Sequence, residues 1–186
     1  MATTIYCDGE LHYTGTDKAI NFTGNLVGST SYINTIRGAG RNTGDSIEGG
    51  GNESIGLYIG PNSGNTVYIN RVTDFRNGII LDGCYNNTVY YGSVYANDIG
   101  ITYRGSEALG YGCINNTVRG NLSGGPYTSV DVTPERIVRC NRIGVWIQDK
   151  ARGNTFEGNT EYSIGSSGGI GLVCDGDRNR VTCYGS

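Results

Sequence analysis

A short pattern that returns at one fixed interval constrains this chain more than any other feature. Gly56-Leu57-Tyr58-Ile59, Gly78-Ile79-Ile80-Leu81 and Gly100-Ile101-Thr102-Tyr103 begin 22 apart, and each is followed by Asn-Thr-Val, at Asn65, Asn87 and Asn116. From Gly to Asn is a step of 9 in the first two repeats, and from Asn to the next Gly a step of 13. So short a period holds strands and turns but no helix, which predicts a solenoid in which each repeat is one coil stacked on the last.

Beyond Gly100 the spacing stretches. Asn116 comes 16 on where 9 is expected, and Gly144 comes 28 later where 13 is expected, a surplus of 7 and then 15. We read these as two loops inserted into one coil, near 105–111 and 122–136. The frame resumes at Asn154-Thr155-Phe156 and at Gly171-Leu172-Val173-Cys174 with Asn179-Arg180-Val181. Read backwards, it catches Tyr32-Ile33 followed by Asn42-Thr43. Residues 1–31 fall outside it and read as short cap strands on the open end, leaving 32–186 as the repeat region. The chain stops at Ser186 part way through a coil, which points to a covering partner or a longer protein.

Composition agrees. Glycine is 32 of 186 residues, far above the usual ~7%, but without a Gly-X-Y period. Val, Ile, Tyr and Thr dominate the apolar runs and favour strands. A net charge of −3 gives no basic footprint for nucleic acid, and the arginines are scattered. Met1 to Ile5 lack the basic start and apolar core of a leader, and no run is long enough to span a membrane, so a soluble protein is expected. The six cysteines show no CxxC spacing; free buried thiols are expected rather than a disulfide framework or a zinc site, with Cys174 and Cys183 on inward positions. No cofactor or metal is implied.

Alternation along each strand sorts side chains inward and outward. The first strand turns in Leu57/Ile59, Ile79/Leu81, Ile101/Tyr103, Val145/Ile147 and Leu172/Cys174. The second turns in Val67/Ile69, Val89/Tyr91, Val118, Phe156 and Val181/Cys183; a third contributes Val72, Val94 and Val138. Three strands per coil make a parallel β-helix. The asparagines at 65, 87, 116, 154 and 179 fall at the bend before the second strand, where their amides are expected to form a ladder.

Gly-Ile-x-Leu strands, an Asn at the bend, Asn-Thr-Val and a period near 22 resemble the right-handed parallel β-helices of the pectate-lyase-like superfamily, over Tyr32 to Ser186. Within it, the Gly/Asn/Tyr/Thr-rich surface is most like bacteriophage tailspike and tail-fibre domains. That resemblance implies an all-β, right-handed, single-stranded parallel β-helix, a homotrimer on the virion tail beside other virion proteins, made in the host cytoplasm and acting outside it. It further implies recognition of a host surface polysaccharide, with no nucleic acid and no membrane insertion.

Two outward columns carry the functional reading. Tyr58, Ile80, Thr102, Trp146 and Val173 form an uncharged stripe, read as an oligomer interface, with Trp146 as a sugar-stacking residue the sharper alternative. Asp45, Tyr68, Tyr90, Arg119, Glu157 and Thr182 form the second, flanked by both inserted loops. Here Tyr68, Tyr90, Arg119 and Glu157 are the expected glycan-binding residues, since phenols, guanidinium and carboxylate all bond to sugar hydroxyls. A glycosidase needs two facing carboxylates, and the candidates are Glu157, Glu135, Asp131 and Glu107. Asp82 and Arg104 read as a structural ion pair. Binding is favoured over catalysis; a depolymerase acting as hydrolase or lyase is the alternative, and an ice-binding solenoid built on Thr43, Thr66, Thr88, Thr117 and Thr155 is the outsider.

Overall fold

The computed structural model describes residues 3–15, 17–23, 28–38, 54–105, 112–120, 137–140, 143–162 and 170–183. These residues form twelve strands and no helix: β1 (Thr4–Tyr13), β2 (Lys18–Phe22), β3 (Thr30–Gly38), β4 (Ile55–Ile59), β5 (Thr66–Asp82), β6 (Thr88–Arg104), β7 (Thr117–Arg119), β8 (Ile137–Cys140), β9 (Ile143–Ile147), β10 (Thr155–Tyr162), β11 (Ile170–Cys174) and β12 (Arg180–Cys183). All twelve belong to one curled sheet in which every pairing is parallel.

The register is the repeat made visible. β5 and β6 pair Val67 with Val89, Val72 with Val94 and Ile79 with Ile101, each one repeat interval apart in the chain. Thr88 then pairs with Thr117, and Ile101 with Val145, so the strands realign across the two surpluses. β5 runs 17 residues because its second, third and following first segments join, with the pairing slipping around Phe75, beside Asp74 at φ 65°.

One expectation is corrected. Tyr32 and Ile33 do not open a repeat: they pair with Tyr68 and Ile69, and so lie on the second segment. Ser29 donates its N–H to the Asn65 side chain and so stands one step before Asn65 in the ladder; Asn42 and Thr43 lie outside the described residues. Within 1–31, β1 pairs with β3 and β2 with β4, Ile20 opposite Leu57, so the strands of this segment continue the sheet. β1 stands at one edge of the sheet.

The core is the set of inward residues. Leu57, Ile79, Ile101 and Val145 stack in one column, Val67, Val89, Val118 and Phe156 in another, and Ile36, Val72, Val94 and Val138 in a third, all at 0–1% exposure. Burying each such side chain contributes about 1.5–3 kcal/mol. Like lies over like along most of each column because adjacent repeats present the same side chains there.

The regular spacing of glycine has a packing cause. A Cβ on Gly78 would sit 2.4 Å from Val94 Cγ1 and 2.6 Å from the Gly100 carbonyl oxygen, and Gly56 and Gly100 are hemmed in the same way. The bend before the second segment has a conformational one: Gly64, Asn86, Asn115, Gly153 and Arg178 all hold φ between 55° and 71° there, a region that Gly and Asn enter most readily.

The asparagine ladder follows directly. Asn65, Asn87, Asn116 and Asn154 each donate a side-chain N–H to the amide oxygen of the next at 3.0–3.1 Å, ending on Asn179, and each backbone N–H reaches the same oxygen. The thiols of Cys84 and Cys113 donate weakly into it, to the amide oxygens of Asn116 and Asn154. These two cysteines are buried, as expected. Cys174 and Cys183 are not: they hold inward register positions opposite Ile147 and Gly158, but among the described strands β11 and β12 are paired on one side only, leaving both thiols exposed.

Candidate functional site

The second-segment column is assembled by register alone. Tyr6, Tyr32, Tyr68, Tyr90, Arg119, Glu157 and Thr182 lie successively opposite one another. Tyr6 and Tyr32 were missed in the sequence, and Asp45, placed there by the sequence, lies outside the described residues. The four rings stack at centroid separations of 5.1, 5.1 and 4.8 Å with interplanar angles of 13–17°. Because each ring covers its neighbour, the inner faces are occupied; the outward side offers ring edges and phenol groups. Partial burial and the adjoining phenols of Tyr90 and Tyr32 raise the Tyr68 pKa above its ordinary value.

The charged end of the column is an ion pair. Arg119 Nε lies 3.2 Å from Glu157 Oε2, with the N–H not aimed along that line, so the attraction is between charges rather than a hydrogen bond. Among the described residues, Glu157 is the one carboxylate that the register brings into this column; Glu107, Asp131 and Glu135 lie outside them, as do residues 106–111 and 121–136.

The first-segment column is also assembled, with Tyr58, Ile80, Thr102, Trp146 and Val173 successively opposite one another after Asn21. It is not a proud apolar strip, however. Ile80 and Thr102 are 5% and 4% exposed, sunk into the floor of a cleft of about 170 Å³ whose rim carries Arg76, Asp98, Arg104 and Gln148.

Two opposite-charge pairs brace this cleft. Arg104 Nη2 donates to Asp82 Oδ2 at 2.6 Å, and Arg76 Nε donates to Asp98 Oδ2 at 3.4 Å. The expected Asp82–Arg104 pair is thus present. Tyr58 Oη donates to the same Asp82 oxygen at 2.8 Å. Burial, reinforced by Asp82, pushes the Tyr58 phenol up to about 12. Burial opposes the charge on Arg104, but the Asp82 carboxylate outweighs it and holds the guanidinium pKa above its usual value. Trp146 Nε1 donates to Asp175 Oδ2 at 3.2 Å, which fixes the indole.

Arg76, Asp98 and Gln148 were not singled out by sequence reasoning. A signal existed, because Arg76 and Asp98 are separated by the same interval as the repeat, as Asp82 and Arg104 are. No family model, curated protein or solved structure matches the chain.

Proposed function

We propose that this chain is a right-handed, single-stranded parallel β-helix of the tailspike and tail-fibre kind, serving a virion as a receptor-binding protein for host surface polysaccharide. The handedness follows from the strong preference of parallel crossovers for the right hand. The observation that carries the function is the Tyr6–Tyr32–Tyr68–Tyr90–Arg119–Glu157 column. It is a rigid row of hydrogen-bonding groups whose rings follow one another at 4.8–5.1 Å, running across strands that hold it in place. Hydroxyl-bearing polymers match such a row, since phenols both donate to and accept from hydroxyls, guanidinium donates to them and carboxylate accepts from them.

A homotrimer belongs to this reading through the same resemblance, with its interface away from the sunken Ile80–Thr102 column; sedimentation reports that state. The test of function is incubation with panels of bacterial capsule and lipopolysaccharide, following binding and reducing-end release together. Binding without release, weakened by Tyr68→Ala with Tyr90→Ala or by Arg119→Ala, is the expected result. Release of reducing ends abolished by Glu157→Gln or Glu135→Gln would make the protein a depolymerase. Silence on every glycan would overturn the reading.

A further inference from the structure

The cleft between the two arginine–aspartate pairs has no part in the tyrosine column, yet it has the form of a small ligand site. We infer that it is a separate subsite for one uncharged sugar ring. The inference rests on the glycan-binding reading for its class of ligand and adds the place, the size and the charge preference.

Size comes first. About 170 Å³ is below the roughly 300–1,000 Å³ of pockets that take drug-sized ligands, and suits a single ring. The floor is apolar or weakly polar, made by Ile80, Thr102 and the half-buried face of Trp146. An indole whose N–H is already engaged by Asp175 presents its ring without an unsatisfied donor, which is what the C–H face of a pyranose packs against.

The rim supplies fixed donors. Each guanidinium carries five N–H groups and commits only part of them to its aspartate. The side chains of Arg76 and Arg104 are 36% and 39% exposed, while those of Asp98 and Asp82 are 3% and 11% exposed. The more deeply buried carboxylates orient the two arginines, and both guanidinium side chains line the cleft together with Gln148. Such groups are held before any ligand arrives, so little ordering is left to oppose binding.

Charge decides between neutral and acidic sugars. Among the described residues each rim arginine lies beside a buried aspartate, so the described rim carries no surplus positive charge. A uronate or other anion would shed its hydration and meet two carboxylates already paired with the donors. A neutral ring exchanges hydroxyl–water bonds for hydroxyl–guanidinium bonds without that penalty.

Trp146 is the single tryptophan of the chain, so its fluorescence reports this cleft alone. Free glucose, galactose, mannose and N-acetylglucosamine are titrated into the intact protein, with glucuronate and galacturonate in parallel. A saturable emission change with at least one neutral sugar, about tenfold weaker with its uronate, is expected. Gln148→Ala and Arg76→Gln, each checked for an unchanged melting temperature, should weaken that neutral sugar by about tenfold or more together, the size expected for lost charge-assisted bonds. Tyr68→Ala with Tyr90→Ala should leave it unchanged. Tryptophan silence towards all the neutral sugars, an equal or stronger response to the uronates, or a titration unmoved by the rim variants overturns the inference. Polysaccharide binding by the column with a silent Trp146 would sink this subsite and spare the broader function; silence in both assays would sink both.

Discussion

The side-chain oxygen of Asn116 accepts two hydrogen bonds from Asn87, from the backbone N–H at 2.9 Å and the side-chain amide at 3.0 Å, although the two lie in different repeats of the chain. Asn116 in turn donates to the Cys84 carbonyl at 3.0 Å and to Asn154 Oδ1 at 3.1 Å. Asn116→Ala strips all of these from a fully buried site and strands several groups that water cannot reach. Stranded buried donors and acceptors cost about 1–3 kcal/mol each, so the variant should lose about 3–5 kcal/mol in urea unfolding. A loss below about 1 kcal/mol would mean that the ladder is ornament to the packing.

Gly78→Ala tests the close approach of neighbouring repeats. Its methyl group would meet both the Val94 side chain and the Gly100 carbonyl, and overpacking of this kind costs about 1–3 kcal/mol. Val94→Ala alone also costs stability by emptying part of the core, so the double variant should fall short of the sum of the two single losses without returning to the level of Val94→Ala alone, since the carbonyl stays where it is. A double variant no less stable than Val94→Ala alone would place the whole clash on the valine.

Arg178 occupies the left-handed bend where other repeats use Gly or Asn, at φ 56° and exposed. Arg178→Gly relieves a conformation that disfavours side chains by about 1–2 kcal/mol, partly offset by the greater freedom of glycine when unfolded. Calorimetry should show a modest rise in melting temperature. A fall would show that the Arg178 side chain contributes more to stability than the bend costs it.

Alkaline pH offers a test of the cleft's internal wiring. Tyr58 titrates near 12 in the folded chain against about 10 when unfolded, so its protonated form favours the native state. That contribution is complete below pH 10 and disappears as pH rises through 12. Ultraviolet phenolate absorption should show, besides the raised Tyr68, a phenol titrating near 12 before unfolding, and Tyr58→Phe should remove it; Tyr91 and Tyr103, raised further by deep burial, should ionise only as the chain opens. A Tyr58 midpoint near 10, its ordinary value, would contradict the Asp82 contact.

The thiols divide by position in the stack. Cys84 and Cys113 are buried, and burial pushes the Cys113 thiol up, whereas Cys174 and Cys183 are exposed. Peptide mapping after brief alkylation of native protein should find label on the latter two and not on the former two. Rapid labelling of Cys113 would show that the interior is open.

What the sequence made legible is what repetition makes legible. Ile79, Ile101 and their equivalents could be sorted inward because one period kept over three repeats leaves one consistent alternation. Tyr32 was misplaced because its repeat lacks the markers: Ser29 stands where Asn is the rule, and the step from Tyr32 to its partner Tyr68 is far longer than the regular interval. The cleft was hidden for a different reason. Arg76 and Asp98 sit where the pairing slips between Phe75 and Asn77, and alternation cannot say which way a side chain faces at a slip. The ring stack corrected the chemistry without moving the residues, since nothing in a run of Tyr codes says whether their faces are free or spent on each other.

The sheet keeps its alignment when repeat length changes. Thr88 faces Thr117 as squarely as Thr66 faces Thr88, although the first pair spans a longer stretch of chain, and Val94 faces Val138 across a longer one still. Chain length between paired positions is therefore a free variable for selection. New surface can be spliced in at one level while the levels above and below go on recognising each other, which makes this scaffold a natural chassis for grafting foreign loops.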